Sequence, residues 1–506
     1  MRAATSEPTR GATALLVLFC IAMAAATHVG RSLTFRDETR VAGIAREMAL
    51  EEQWATPRLN GSLFLEYPPA GYWPLAGLLR AGLPATDLVA QLPVALAVLG
   101  ILFLTFRMAR RIAGAEAAWL AVVVLQCTIG FNSLGRRVLV DPLLCFWITL
   151  ALHGALFALA ESDRRGRHLS VFYLGLAGGF LSKGLIGIVL PAAAAVVFLA
   201  LTRQLALLPR IVLHPALLAF VLPIGSWLWA LASVEGTTAL AEVWQQSVFR
   251  ALSSRADHAR PLWFYFGRIP YLALPALVLV PFIARDALGP RQRRQARSTG
   301  PFDLFGSVWF LTMFSLLCVA SAKRNVYLGP IYPGLALAAA GWWARAREQT
   351  PDGAPQRWLT QAVRARPVAQ GAGLGVIVAL ALGIDLAREL PLDSDDSPRQ
   401  LFEEVVALQS QQPGAPVVLV RPRESLSGAA VYYLGETVQT VYEPDQLEAS
   451  VSTDGALLVG KTIDLAPLLA ALPKSRRGSV HTRTVGRDAY QIAALRPIRV
   501  RATTPH

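Results

Sequence analysis

The chain has 506 residues, 54% of them hydrophobic and 16% charged, with a net charge of +14. A soluble chain carries about a quarter charged residues, so this composition excludes an ordinary soluble domain and points to a polytopic α-helical membrane protein. The positive balance does not read as nucleic-acid binding, because the arginines gather in short loops between apolar runs, the pattern of cytoplasmic loops.

Taken in chain order, the first apolar run, 11–30, follows Arg2 and Arg10. It reads as an uncleaved first span; small residues at 22–26 leave a signal peptide as the alternative. The polar stretch 31–87 comes next. Within it Val41, Ile44, Ala45 and Met48 recur at helical spacing, as in an amphipathic helix lying along a membrane interface. Thr34 ahead of Asp37 resembles a capping box. Further spans are expected at 88–106, 115–134, 138–160, 169–181, 184–201, 211–233, 263–284, 302–320, 327–343 and 371–386, about eleven in all.

Alternate loops carry the positive charge. Arg107, Arg110 and Arg111 form one cluster, Arg164, Arg165 and Arg167 the next, then Arg203 and Arg210, then Arg285 to Arg297, then Arg345, Arg347, Arg364 and Arg366. These loops are expected on the cytoplasmic side. The loops with Asp37, Glu66, Asp141, Lys183, His258 and Lys323 then fall on the opposite, periplasmic side. Arg136 and Arg137 beside Asp141 break the charge rule, and an anionic ligand is one partner they could have.

Residues 1–387 are therefore expected to form a transmembrane domain, with the periplasmic segments 31–87 and 234–262 shaping its site. Residues 388–506 are expected to form a small α/β periplasmic domain. An acidic linker at 391–398 precedes a helix at 401–408 and short strands at 417–420, 431–434, 456–459 and 489–492. The cysteines, Cys20, Cys127, Cys145 and Cys318, lie inside apolar runs and show neither metal-ligand spacing nor a disulfide framework.

The candidate chemistry lies in a few charged residues at span ends. Carboxylates next to hydrocarbon are costly, so Asp37, Glu66 and Asp141 are functional candidates. For Asp37 and Glu38 the plain alternative is an acidic first helical turn complementing the dipole. The chain has only four lysines, and two of them, Lys183 and Lys323, end apolar runs. An ammonium there either grips a phosphate or snorkels to the interface.

Several segments together resemble a known group. They are Arg36-Asp37-Glu38-Thr39-Arg40 with Ile44 to Met48, Trp54 to Gly61, and Glu66-Tyr67-Pro68-Pro69-Ala70-Gly71-Tyr72-Trp73. Arg137 to Pro142, Leu181-Ser182-Lys183-Gly184 and Lys323-Arg324-Asn325-Val326-Tyr327 add to them. On these the chain resembles the GT-C fold glycosyltransferases that use polyprenyl-phosphate sugars. Among these it is most similar to the lipid A aminoarabinose transferases and more distantly similar to protein O-mannosyltransferases.

The resemblance implies inverting transfer of a sugar from a polyprenyl-phosphate donor to a lipid, glycan or protein acceptor, in a bacterial inner membrane. It implies Asp37 as catalytic carboxylate with Arg40 beside it, and Asp141 orienting a substrate. Lys183 is implied to hold the donor phosphate with Tyr327; Arg255, Arg260 and Lys323 are further phosphate candidates. Glu66 and His258 match positions that bind a divalent metal; no other cofactor is expected. Tyr67 stands where aminoarabinose transferases typically have lysine. A transporter or flippase of polyprenyl-linked sugars is the competing reading, but such proteins place ionisable groups near the midplane, often in repeats, and no repeat is visible here.

Overall fold

The computed structural model describes residues 31–34, 37–252, 259–281, 301–348, 397–443, 446–447 and 455–496, without the side chains of 247–252, 278, 301 and 346–348. The expected spans 11–30 and 371–386, the linker residues 391–396, most of the loop arginines from Arg285 onward, and both Arg255 and His258 lie outside the described residues.

In chain order the helices are α1 (Asp37–Glu51), α2 (Trp73–Arg80), α3 (Asp87–Ala113), α4 (Ala115–Cys127), α5 (Ile129–Gly135), α6 (Val140–Ala160), α7 (Arg165–Lys183), α8 (Ile186–Leu201), α9 (Leu218–Glu235) and α10 (Thr237–Leu252). They continue with α11 (Phe305–Val319), α12 (Tyr332–Glu348), α13 (Arg399–Gln411), α14 (Glu424–Leu434) and α15 (Thr462–Ala471). The strands are β1 (Arg58–Leu59), β2 (Ser62–Leu63), β3 (Val417–Val420), β4 (Gln439–Val441), β5 (Ala456–Lys461), β6 (Arg477–Val485) and β7 (Asp488–Leu495).

The residues form two compact units. One contains Leu65–Gly71 and Pro93–Ala387; the other contains Gly30–Phe64, Tyr72–Leu92 and Arg388–His506. Residues 37–64, expected to shape the transmembrane domain, thus share a unit with the C-terminal region.

In the first unit, four described helices are long and apolar enough to cross a membrane: Asp87–Ala113, which begins in the other unit, Val140–Ala160, Pro215–Glu235 and Phe302–Val319. A fifth crossing is available if α4 and α5 count as one span bent by 69°. The expected continuous span at 115–134 is therefore broken at Thr128, whose extended backbone interrupts the helix. The expected span at 263–284 is also absent as a helix over its described part. The chain there makes only short turns, Leu262–Tyr265, Ile269–Leu272 and Ala276–Leu279. Pro261, Pro270 and Pro275 explain this, since proline removes a helical donor and clashes with the preceding turn.

Helices α6 and α7 pack through glycines. A side chain on Gly175 would lie 2.5 Å from the Ala151 nitrogen, one on Gly154 2.4 Å from the Phe172 nitrogen, and one on Gly178 within 2.2 Å of Trp147. Between apolar helices, close approach of small residues provides the packing that a hydrophobic effect cannot supply in lipid. The apolar core continues through Met108, Ala121, Ile148, Trp309 and Ala339.

The second unit is built on a mixed sheet of order β4-β3-β5-β7-β6. β3 runs parallel to β4 and β5, and β7 is antiparallel to β5 and β6. Alternate residues feed opposite faces: Val417 and Leu419 join Phe402 and Ala430 on one side, Val418 and Val420 join Leu465 and Leu468 on the other. A sheet covered on both faces reads as a continuous apolar run, as 417–420 does. The expected strand at 431–434 is instead the end of α14. Its β-branched and aromatic residues are overridden by packing, because Ala429, Ala430, Val431 and Tyr432 are all buried along a helix.

Candidate active site

In the first unit, Asp141 and Lys183 form an ion pair, with Nζ 2.5 Å from Oδ1. Their positions follow from the helices that carry them. Asp141 lies in the first turn of α6 and Lys183 is the last residue of α7. A helix N-terminus favours an anion and a C-terminus a cation, so each charge complements its own helix. Gly184, at φ +69, ends α7 directly after the lysine in a conformation that suits glycine.

Two aromatic rings close over the ammonium. Lys183 Nζ lies 4.3 Å from the centre of the Tyr327 ring and 5.4 Å from that of Tyr67. The Tyr67 loop sits tight because Gly71 fits against Val140 with no room for a side chain. Tyr327 belongs to a short 3-10 segment, Asn325–Ile331. The Tyr265 hydroxyl donates to the Arg324 carbonyl at 3.0 Å, and the Trp309 indole donates to the Pro330 carbonyl at 2.7 Å, so both ends of that segment are held. Lys183 is left 9% exposed and Asp141 10%. A desolvated ammonium over aromatic faces gains about 2 kcal/mol.

The structure thus brings together Asp141, Lys183 and Tyr327, as expected, and adds Tyr67. Glu66 is the half-buried neighbour of Tyr67. Lys323 has different surroundings from Lys183. It is buried, and its ammonium donates to the backbone carbonyls of Arg260, at 3.0 Å, and of Ala320. It ties 259–260 to 321–322, where Ala259 and Ala322 form a β-bridge. Arg260 is exposed, and its N–H donates to the Ser321 carbonyl at 3.2 Å. Among the described residues, no group of three His, Cys, Asp or Glu side chains could hold a metal.

In the second unit, Asp37 opens α1 and Arg40 follows one turn later, with Nη2 3.2 Å from Asp37 Oδ1. The same guanidinium reaches Glu424 in the first turn of α14, Nη1 to Oε2 at 2.5 Å, and lies over the Phe64 ring at 5.4 Å. Asp37, Arg40, Pro422, Arg423, Glu424 and Ser425 line a cavity of about 460 Å³.

Glu38 points elsewhere. It pairs with Arg31 at 2.8 Å and accepts from the Thr34 N–H at 2.9 Å and hydroxyl at 2.6 Å. The cap expected between Thr34 and Asp37 is therefore made with Glu38. Burial pushes the Glu38 carboxyl up, but the Arg31 charge and the hydrogen bonds outweigh it and hold the group below its ordinary value. Glu47 serves the backbone: it accepts from the N–H groups of Asn60, at 2.6 Å, and Gly61, at 2.7 Å. Both turn residues have positive φ, which accounts for the Asn-Gly pair. Burial raises the Glu47 carboxyl, partly offset by those donors.

The comparisons with known proteins accord with this architecture. Residues 66–229 match the family model described as dolichyl-phosphate-mannose-protein mannosyltransferase. The undecaprenyl phosphate-alpha-4-amino-4-deoxy-L-arabinose arabinosyl transferase of Edwardsiella ictaluri (strain 93-146) is 29% identical over 62% of this chain and 56% of its own. That of Pseudomonas aeruginosa (strain UCBPP-PA14) is 31% identical over 60% and 54%. The chain thus spans a little over half the length of these curated relatives.

Among solved structures, ArnT from Cupriavidus metallidurans bound to undecaprenyl phosphate superposes with a TM-score of 0.74 and 20% identity, covering 96% of this chain and 98% of its own. The archaeal oligosaccharyltransferase AglB from Archaeoglobus fulgidus, in complex with an inhibitory peptide and a dolichol-phosphate, gives 0.55 and 12%, covering 88% and 69%. The fold is the GT-C fold of polytopic glycosyltransferases. Within it the resemblance is to the aminoarabinose transferase ArnT over nearly the full chain.

Proposed function

We propose that this protein is a membrane glycosyltransferase that moves a sugar from a polyprenyl-phosphate donor to a lipid A-like lipid, a glycan or a protein acceptor on the periplasmic face of the inner membrane. The donor class rests on the relatives, named for undecaprenyl-phosphate aminoarabinose, and on ArnT and AglB, solved with undecaprenyl phosphate and a dolichol-phosphate. The observation that carries the reading is the Lys183 ammonium, paired with Asp141 between the rings of Tyr67 and Tyr327.

Transfer breaks the anomeric carbon–oxygen bond to the lipid phosphate and forms a bond from that carbon to the acceptor oxygen, with inversion. Electrons and negative charge pass to the departing phosphate. A preorganised cation at that phosphate contributes about 2–4 kcal/mol to the barrier, and Lys183 is assigned that role, with Asp141 orienting it. A hydroxyl acceptor loses its proton to a carboxylate, assigned to Asp37. A phosphate acceptor needs no base, and Asp37 then positions it. Tyr67 in place of lysine removes a like charge beside Lys183, which argues for a donor or acceptor differing from aminoarabinose and lipid A. Glu66 and His258 are the pair assigned to a divalent metal. One weak site of two protein donors needs water or substrate to complete it, and no step above is routed through it.

Mass spectrometry of lipids and envelope glycans, with and without the gene, tests the reading. A lost sugar mass should return with the wild-type gene and not with Lys183→Ala or Asp37→Asn. A correctly inserted Asp37→Asn protein that restores the mass would sink the catalytic assignment. Lipid scrambling in liposomes without any transfer would make the protein a flippase.

A further inference from the structure

We propose that Glu424, 384 residues beyond Arg40, is a positioning residue for the reaction: it shares the Arg40 guanidinium with Asp37 and so sets how strongly that carboxylate is neutralised. The inference rests on the reading of Asp37 as the working carboxylate. Several contacts fix Glu424 at this place. Gly43 and Gly428 meet where α1 crosses α14, and a side chain on either would lie 2.5 Å from backbone of the other helix. The Thr39 hydroxyl donates to the Ser425 carbonyl at 2.9 Å, one residue from each partner of the Arg40–Glu424 pair. Arg421, at φ +43, turns the chain out of β3, its N–H donating to Val441 and its side chain to Tyr442, so that Pro422 delivers the first turn of α14 to the cavity.

The electrostatics follow from the count of charges. Asp37, Glu424, Arg40 and Arg423 line the cavity, Phe64 covers the guanidinium, and Glu38 is turned away to Arg31. With Glu424 present, Arg40 divides its donors between two carboxylates, and Glu424 also repels Asp37. Without that charge, Glu424 neither draws on the Arg40 guanidinium nor repels Asp37, and the aspartate is easier to ionise and a weaker base.

The test is the pH profile of transfer by full-length protein in lipid nanodiscs, with undecaprenyl-phosphate aminoarabinose as donor probe and a lipid bearing a free hydroxyl, which needs a base, as acceptor probe. Glu424→Gln should move the acidic limb of kcat/KM to lower pH by about half a unit, the size of one screened charge at this range, and Glu424→Asp should restore it. A lower rate with an unmoved limb, or no change at all, would overturn the proposal. Wild-type protein that transfers neither this sugar nor any donor found by the lipid analysis points instead to failure of the glycosyltransferase reading. Folding of each variant is checked by its melting midpoint.

Discussion

Lys183 and Arg40 are both cations beside an aspartate, and they are held in opposite ways. Lys183 pairs with the Asp141 carboxylate, lies at a helix C-terminus and is covered by two rings, with about a tenth of either charged side chain exposed. Arg40 divides its donors between Asp37, 25% exposed, and Glu424, 56% exposed, at the edge of a cavity. The first arrangement fixes a charge where water is scarce. The second keeps a charge adjustable, because either carboxylate can exchange its partner for solvent or substrate at little cost.

The largest expected effect separates the two directly. Lys183→Ala strands a nearly buried carboxylate and should destabilise the protein by about 3–5 kcal/mol. Arg40→Ala leaves carboxylates that water still reaches and should cost about 1 kcal/mol or less. Melting midpoints of the purified variants in detergent would show the difference, and equal losses would erase the distinction drawn here. Next in size, Gly428→Ala places a methyl group 2.5 Å from the Thr39 carbonyl and should cost about 1–3 kcal/mol as an overpacked contact. Hydrogen exchange should then rise in 37–51; unaltered protection would mean that the crossing is loose.

The smallest effect is one of pH. Glu38 titrates below its ordinary value of 4.5 in the folded chain, so its contribution is complete above 4.5 and is lost as pH falls through the lower folded value. Glu38→Gln should flatten the acid limb of stability for the second unit, without changing the slope at neutral pH. A variant as acid-labile as wild type would assign that limb to other carboxylates.

Much of this was legible in the sequence, and the rest was hidden for identifiable reasons. The run of apolar segments, the helix through Val41 and Met48, and the grouping of Lys183 with Asp141 and Tyr327 could be reached from local pattern and family motifs. Tyr67 could be read only as a missing charge, since nothing local says that its ring faces Lys183. Lys323 ends an apolar run just as Lys183 does, and only tertiary structure shows carbonyls around one and a carboxylate with aromatic rings around the other. Glu424 carries no motif, because its meaning depends on a partner from the far end of the chain.

The Gly43–Gly428 crossing also bears on biogenesis. The helix that carries Asp37 emerges from the ribosome early, yet the surface that receives it is encoded hundreds of codons later. Until residues 424–434 are synthesised, Gly43 lacks the Gly428 backbone that it nests against. Docking of the 37–51 helix therefore waits on the 424–434 helix, and a chain that stops short of Gly428 leaves this crossing unmade.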